Sequence, residues 1–167
     1  MSITTSAVEA GLVAPRLLPA ILAATAIAGT LDIADAVVMS LLSGRSPMKM
    51  LQGIAGGLVG KAAGQGGAPA AALGLALHFA IMLVMATAFM LAAGRIEALA
   101  RRPLLWGPLY GLGLYVVMYW VVLPLRWPPL FGRIEPVQVI NQIFAHTMLV
   151  GLPIALVAAR FLGPFRR

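Results

Sequence analysis

Four stretches of this chain are too long and too apolar to sit in water. They run from about Leu17 to Ser43, Ala70 to Ala93, Leu104 to Leu125 and Gln138 to Leu162. A bilayer's hydrocarbon core is about 30 Å thick, and about 20 apolar residues rising about 1.5 Å each will cross it as a helix. Each stretch supplies that length. Inside lipid, backbone N–H and C=O groups must be paired within the segment, so such stretches are helical. Composition agrees: 10% of the 167 residues are charged and 61% are hydrophobic, against about 25% charged in a soluble domain. A soluble fold of this length would lack polar side chains to cover its surface. We expect one integral membrane domain over residues 1–167. The absence of cysteine excludes disulfides, thiolate metal sites and cysteine nucleophiles.

The segment "SPMKMLQGIAGGLVGKAAGQGGAP" separates the first two spans. Leu51, Ile54, Ala55, Leu58, Val59 and Ala62 recur at helical spacing, flanked by Lys49, Gln52 and Lys61. This predicts a short amphipathic helix over about 48–64, too short to span and therefore interfacial or re-entrant. Gly53 and Gly57, and Gly56 and Gly60, are four apart. Such small faces are expected to pack closely on a spanning helix. The expected fold class is all-α: a polytopic bundle of four transmembrane helices plus this short helix. The apolar run after Arg16 continues past Ala28, so it reads as the first span rather than as a cleaved leader. In "LPLRWPPLFG" the prolines are expected to end the third span and the tryptophan to sit at headgroup level.

The net charge of +7 comes from basic clusters between apolar runs. That pattern sets membrane topology rather than nucleic-acid binding, and the lipid bilayer is the expected partner. Arg16, Arg95, Arg101, Arg102, Arg160, Arg166 and Arg167 fall on one side. Arg45, Lys49, Lys61, Arg126 and Arg133 fall on the other. The excess places both termini in the cytoplasm.

The informative residues interrupt the apolar runs. "TLDIADAVV" places Asp32 and Asp35 three apart, on one helix face in mid-span. Counted from the face shared by the odd-numbered loops, Asp35, His78 and His146 each lie roughly 12 Å deep and Tyr115 about 15 Å deep, at 1.5 Å per residue. Ionisable groups at such depth are costly and face a protein interior or a water-filled cavity. Asp32, Asp35, His78, His146 and Tyr115 are therefore expected to converge as a binding or proton-relay layer. Tyr119 offers a second hydroxyl, and Asn141 and Gln142 lie nearer the surface, where they would line an entrance. The structural alternatives for the acids are pairing with Lys61 or capping a helix break near Gly29. His78, His146 and Asp35 are also the candidate metal ligands, or the histidines the axial ligands of a haem; no particular cofactor is specified.

At "LQGIAGGLVGKAAGQGGAPAAALGLALHF" and "AHTMLVGLPIALVAAR" the chain resembles the YagU-like group of small uncharacterised bacterial inner-membrane proteins. The resemblance implies the inner membrane of a bacterium and carries over no catalytic residue. "GGLVGKAAG" lacks the GxxxxGK[ST] phosphate-binding pattern, and no hydrolase, kinase or dinucleotide motif occurs. The expected functions are transport of protons or a small solute through the Asp/His layer, membrane redox chemistry on a haem or metal, or a non-catalytic role beside other membrane subunits or a second copy of the chain. The balance favours a protein that is not an enzyme.

Overall fold

The structure, a computed structural model, describes residues 3–126 and 135–163. Among them every regular element is helical. Four helices are long and apolar enough to cross a membrane: Arg16–Leu42, Gly67–Ala93, Pro103–Arg126 and Pro136–Leu162. These bounds lie within three residues of those expected from hydropathy. They make this a multi-pass membrane protein. The stretch 127–134, with its tryptophan and paired prolines, lies outside the described residues, as do Arg166 and Arg167.

The first span belongs to α1, Ile3–Leu42. It closes at Gly44, whose φ of 66° lets the Arg45 N–H turn back onto the Ser40 carbonyl at 2.8 Å. Next comes α2, Pro47–Val59, with Pro47 in its first turn and Gly60 (φ 73°) as its stop. A 3₁₀ segment, Gly60–Gln65, leads into α3, Gly67–Ala93. After the single turn α4, Glu97–Arg101, the third span starts at Pro103 as α5, Pro103–Val117, and ends as α6, Leu123–Arg126. The last span is α7, Pro136–Phe144, followed by α8, Leu152–Leu162.

Between the two halves of each of these last spans the helix widens. Met118–Val122 and Ala145–Gly151 are π-helical. In both, the residue before a proline reaches five back: the Leu123 N–H to the Met118 carbonyl, and the Leu152 N–H to the Thr147 carbonyl. The cause is local. Pro124 and Pro153 lack an N–H and their rings crowd the carbonyl four residues earlier, so the preceding turn opens. Pro124 thus lies inside the third span, which continues to Arg126, rather than stopping it.

The apolar core is built on small side chains. Ala20, Ala24 and Ala28 of α1 meet Met82, Ala86 and Phe89 of α3 and Ile154, Ala155 and Ala158 of α8, all nearly or wholly buried. Tyr110 braces this end, its hydroxyl donating to the Met85 carbonyl at 2.7 Å and its ring tilted on Phe89 at 4.9 Å. Large side chains such as Leu18, Val84, Leu104 and Ile140 point outward, the arrangement that a lipid solvent favours. α1 packs on α3 and α8, and α5 on α8 and the π-helical turn before it.

Glycines set two close approaches. A Cβ on Gly74 would collide with the Leu51 carbonyl of α2, and one on Gly111 or Gly151 would strike the opposite backbone across the α5–α8 seam. Within 53–64 a Cβ on Gly53, Gly56 or Gly64 would meet nothing within 4 Å, and one on Gly60 would lie 3.7 Å from Arg126 Nη2. α2 does pack on α3, but α3 provides the notch. Lys49 Nζ donates to the Gly64 carbonyl at 2.6 Å and Gln52 Nε2 to the Gly67 carbonyl at 2.9 Å, folding the 3₁₀ segment back along α2. Arg126 then grips the far end, with Nε and Nη2 each 2.7 Å from the Gly57 and Gly56 carbonyls. A cation at the carbonyl end of a helix also meets the favourable end of its dipole.

Candidate functional site

α1 runs unbroken through Gly29, so the expected helix break there is absent. The reason is packing: Gly29 faces the Phe79 ring, where a Cβ would lie 2.6 Å from a ring carbon. That contact brings α3 against α1, and the Gly29 carbonyl accepts a 2.9 Å bond from His78 Nε2. A carbonyl can only accept, so Nε2 carries a proton. Nδ1 lies 3.8 Å from Asp32 Oδ2. Asp32 therefore faces His78 and not Lys61.

His146 is held in the opposite sense. Its Nδ1 lies 2.9 Å from the Gln142 carbonyl one turn back, which places a proton on Nδ1. The ring stands edge-on to Tyr115 at 6.1 Å and Tyr119 at 5.9 Å, and those two rings stack at 4.9 Å. His146 and Tyr119 both lie in the widened turns, a placement frequent at functional sites. Both histidines are nine-tenths buried, and Tyr115 is buried too. Asp32 lies within Coulombic reach of His146, His78 and Asp35, and Tyr119 within reach of Asp32 and Tyr115.

The structure thus gathers Asp32, His78, His146 and Tyr115 in one place. Asp35 stands beside them with a partner of its own, accepting a 2.8 Å bond on Oδ2 from Asn141 Nδ2. Asn141, expected nearer the surface, is the hydrogen-bond partner of this acid. The sequence reading also left Tyr119 outside the core set; its signal was its position one helical turn after Tyr115. The candidate metal ligands His78, His146 and Asp35 do not form a coordination set, since among the described residues no three His, Asp or Glu side chains gather closely enough to hold a metal ion. The carbonyls of Gly29 and Gln142 and the amide of Asn141 each engage one of those three side chains separately.

Comparison with protein-family models finds no match, and neither curated proteins nor solved structures match the chain. The site's chemistry is therefore argued from its own geometry.

Proposed function

We propose that this protein carries protons, alone or with a small solute, through an intramembrane site centred on Asp32, His78 and His146. One observation carries the reading: His78, anchored through Nε2 to the Gly29 carbonyl, sets its Nδ1 3.8 Å from Asp32 Oδ2, with buried His146 within Coulombic reach of the same acid. An imidazole nitrogen and a carboxylate at this separation attract when a proton sits on either of them, and that proton can pass between them. The pair is a place where a proton is held, and Tyr115 and Tyr119 wall it from lipid. Asp35 with Asn141 forms the approach from the side of the odd-numbered loops.

In this reading the four spans form a transmembrane bundle. α2 is re-entrant, held against α3 by Gly74 and at its carbonyl end by Arg126. Both termini lie in the cytoplasm and the membrane is the bacterial inner membrane, on the basic-residue bias and the resemblance given above. Reconstitution tests the function. Vesicles with a trapped pH indicator and an imposed potential should acidify when they contain the wild-type protein. Asp32→Asn should abolish the flux while keeping the melting temperature in detergent. Wild-type flux equal to that of empty vesicles would overturn the reading.

A further inference from the structure

Positive φ angles occur at three glycines among the described residues: Gly44, Gly60 and Gly67, at 66°, 73° and 56°. Gly44 and Gly67 bracket α2 and its 3₁₀ return, and Gly60 is the corner between those two. Glycine takes such angles without steric strain, so the bends that orient this segment are concentrated at its ends and its corner. Between the ends the segment is braced on itself by the bond from Lys49 to the Gly64 carbonyl, while Gln52 reaches the Gly67 carbonyl at the pivot. Farther out, Arg126 at the end of the third span holds it through the Gly56 and Gly57 carbonyls. A braced body between glycine pivots, with a polar catch away from them, is built as hinged elements are.

The site lies beneath this segment. Gly74 and His78 are one turn apart and share a face of α3, and the α2 backbone from Leu51 to Ala55 sits in the Gly74 notch. α2 therefore stands about 6 Å along α3 from the level of His78, on the side of the odd-numbered loops. It also packs on α1, the helix that carries Asp32 to His78. Its buried underside is Gln52, Ala55 and Gly56. We propose that α2 is a lid over the Asp32–His78 pair, pivoting at Gly44 and Gly67 and latched by Arg126. Its role as a gate rests on the proton-carrying reading; its movement does not. Closing seats the Leu51 carbonyl against Gly74. Opening exchanges the Gly56 and Gly57 carbonyl bonds of Arg126 for water and uncovers Ala55.

The chain has no cysteine, so single introduced cysteines report the movement. Ala55 on the underside of α2 and Ala86 in the core between α1, α3 and α8 are both fully buried. The test is labelling of the full-length protein in lipid nanodiscs with a water-soluble methanethiosulfonate. Ala55→Cys should react at a measurable rate and Ala86→Cys should not. Arg126→Gln should speed labelling at position 55 by about tenfold or more, the change expected from losing one hydrogen bond to a charged group. It should leave position 86 unreactive and raise proton flux in vesicles. If a thermal melt shows that Arg126→Gln does not fold, Arg126→Lys carries the test in the same direction, since it keeps the charge without the paired fork of donors. No reaction at position 55 in the parent or the latch variant, equal acceleration at both positions, or faster labelling with flux present but unchanged would each overturn the proposal. Latch-dependent labelling with no proton flux from wild type would overturn the proton-carrying reading alone and leave the moving lid standing.

Discussion

Gly111 and His146 meet backbone to backbone: the position a Gly111 Cβ would take is filled by the His146 carbonyl, with the Thr147 Cα 2.7 Å away. The α5–α8 seam therefore fixes where the His146 ring stands. Gly111→Ala should destabilise the protein by at least about 1–3 kcal/mol, as overpacking does, and reduce proton flux in vesicles. Gly113 provides the comparison, since its Cβ would meet nothing within 4 Å. Gly113→Ala should be neutral or stabilise by about 0.5–1 kcal/mol through helix propensity. Thermal melts in detergent separate the two, and equal melting temperatures would remove the seam from the account of the site.

The same reasoning at α2 gives a second pair. Gly74→Ala should force α2 off α3, because the obstruction is the Leu51 carbonyl rather than a side chain that can swing aside. A cysteine placed at exposed Leu58 should then react faster with a water-soluble maleimide. Gly53→Ala, in open space, should leave the rate unchanged. If both variants label like the parent, α2 is not seated by Gly74.

Asp35 and Asn141 are separated by 106 positions and joined by one 2.8 Å bond. A double-mutant cycle with Asp35→Ala and Asn141→Ala should show a coupling of about 1.5–3 kcal/mol, the range for a hydrogen bond to a charged group. Asn141→Asp should be worse than Asn141→Ala, because it sets two carboxylates against each other. A coupling near zero in the denaturation of the four variants would show that the bond does not hold the last span to α1.

The four spans were legible because length and hydropathy alone specify them. The depth count put Asp35, His78 and His146 about 12 Å deep and Tyr115 about 15 Å deep, and Asp32, one turn from Asp35, is the acid that meets His78. Rotation about each helix axis was not legible. That is why the bond from Asn141 to Asp35 was not foreseen, and why Lys61 entered as a partner for the acids. The glycine spacing in 53–64 shows where a backbone is bare, not where a second backbone arrives; the arrival is at Gly74. The widened turns had a visible cause in Pro124 and Pro153, but a 3.6-residue periodicity does not reveal where one turn takes an extra residue.

Pro153 offers a test of that extra residue. Pro153→Ala restores an N–H opposite the Leu149 carbonyl and permits the 145–151 turn to close to α-helix. Hydrogen exchange should slow around residue 153, and proton flux should fall because His146 would rotate away from Asp32. Slower exchange with unchanged flux would show that the π-turn does not aim the histidine.

The core between α1, α3 and α8 rests largely on Ala20, Ala24, Ala28, Ala86, Ala155 and Ala158, each fully buried. Methyl groups give these faces little relief, so few knobs have to leave their holes when one helix slides along another. Close-packed cores usually resist such sliding because their side chains interlock. Here the alanine faces offer few such knobs, and the interlocking is left to Met82, Phe89, Met90 and Ile154, with Tyr110 tying α5 to α3. The braces at the opposite end, Arg126 on α2 and Asn141 on Asp35, are polar bonds that can be exchanged with water one at a time. The contacts thus change character along the membrane normal: apolar packing on one side of Asp32 and polar catches on the other.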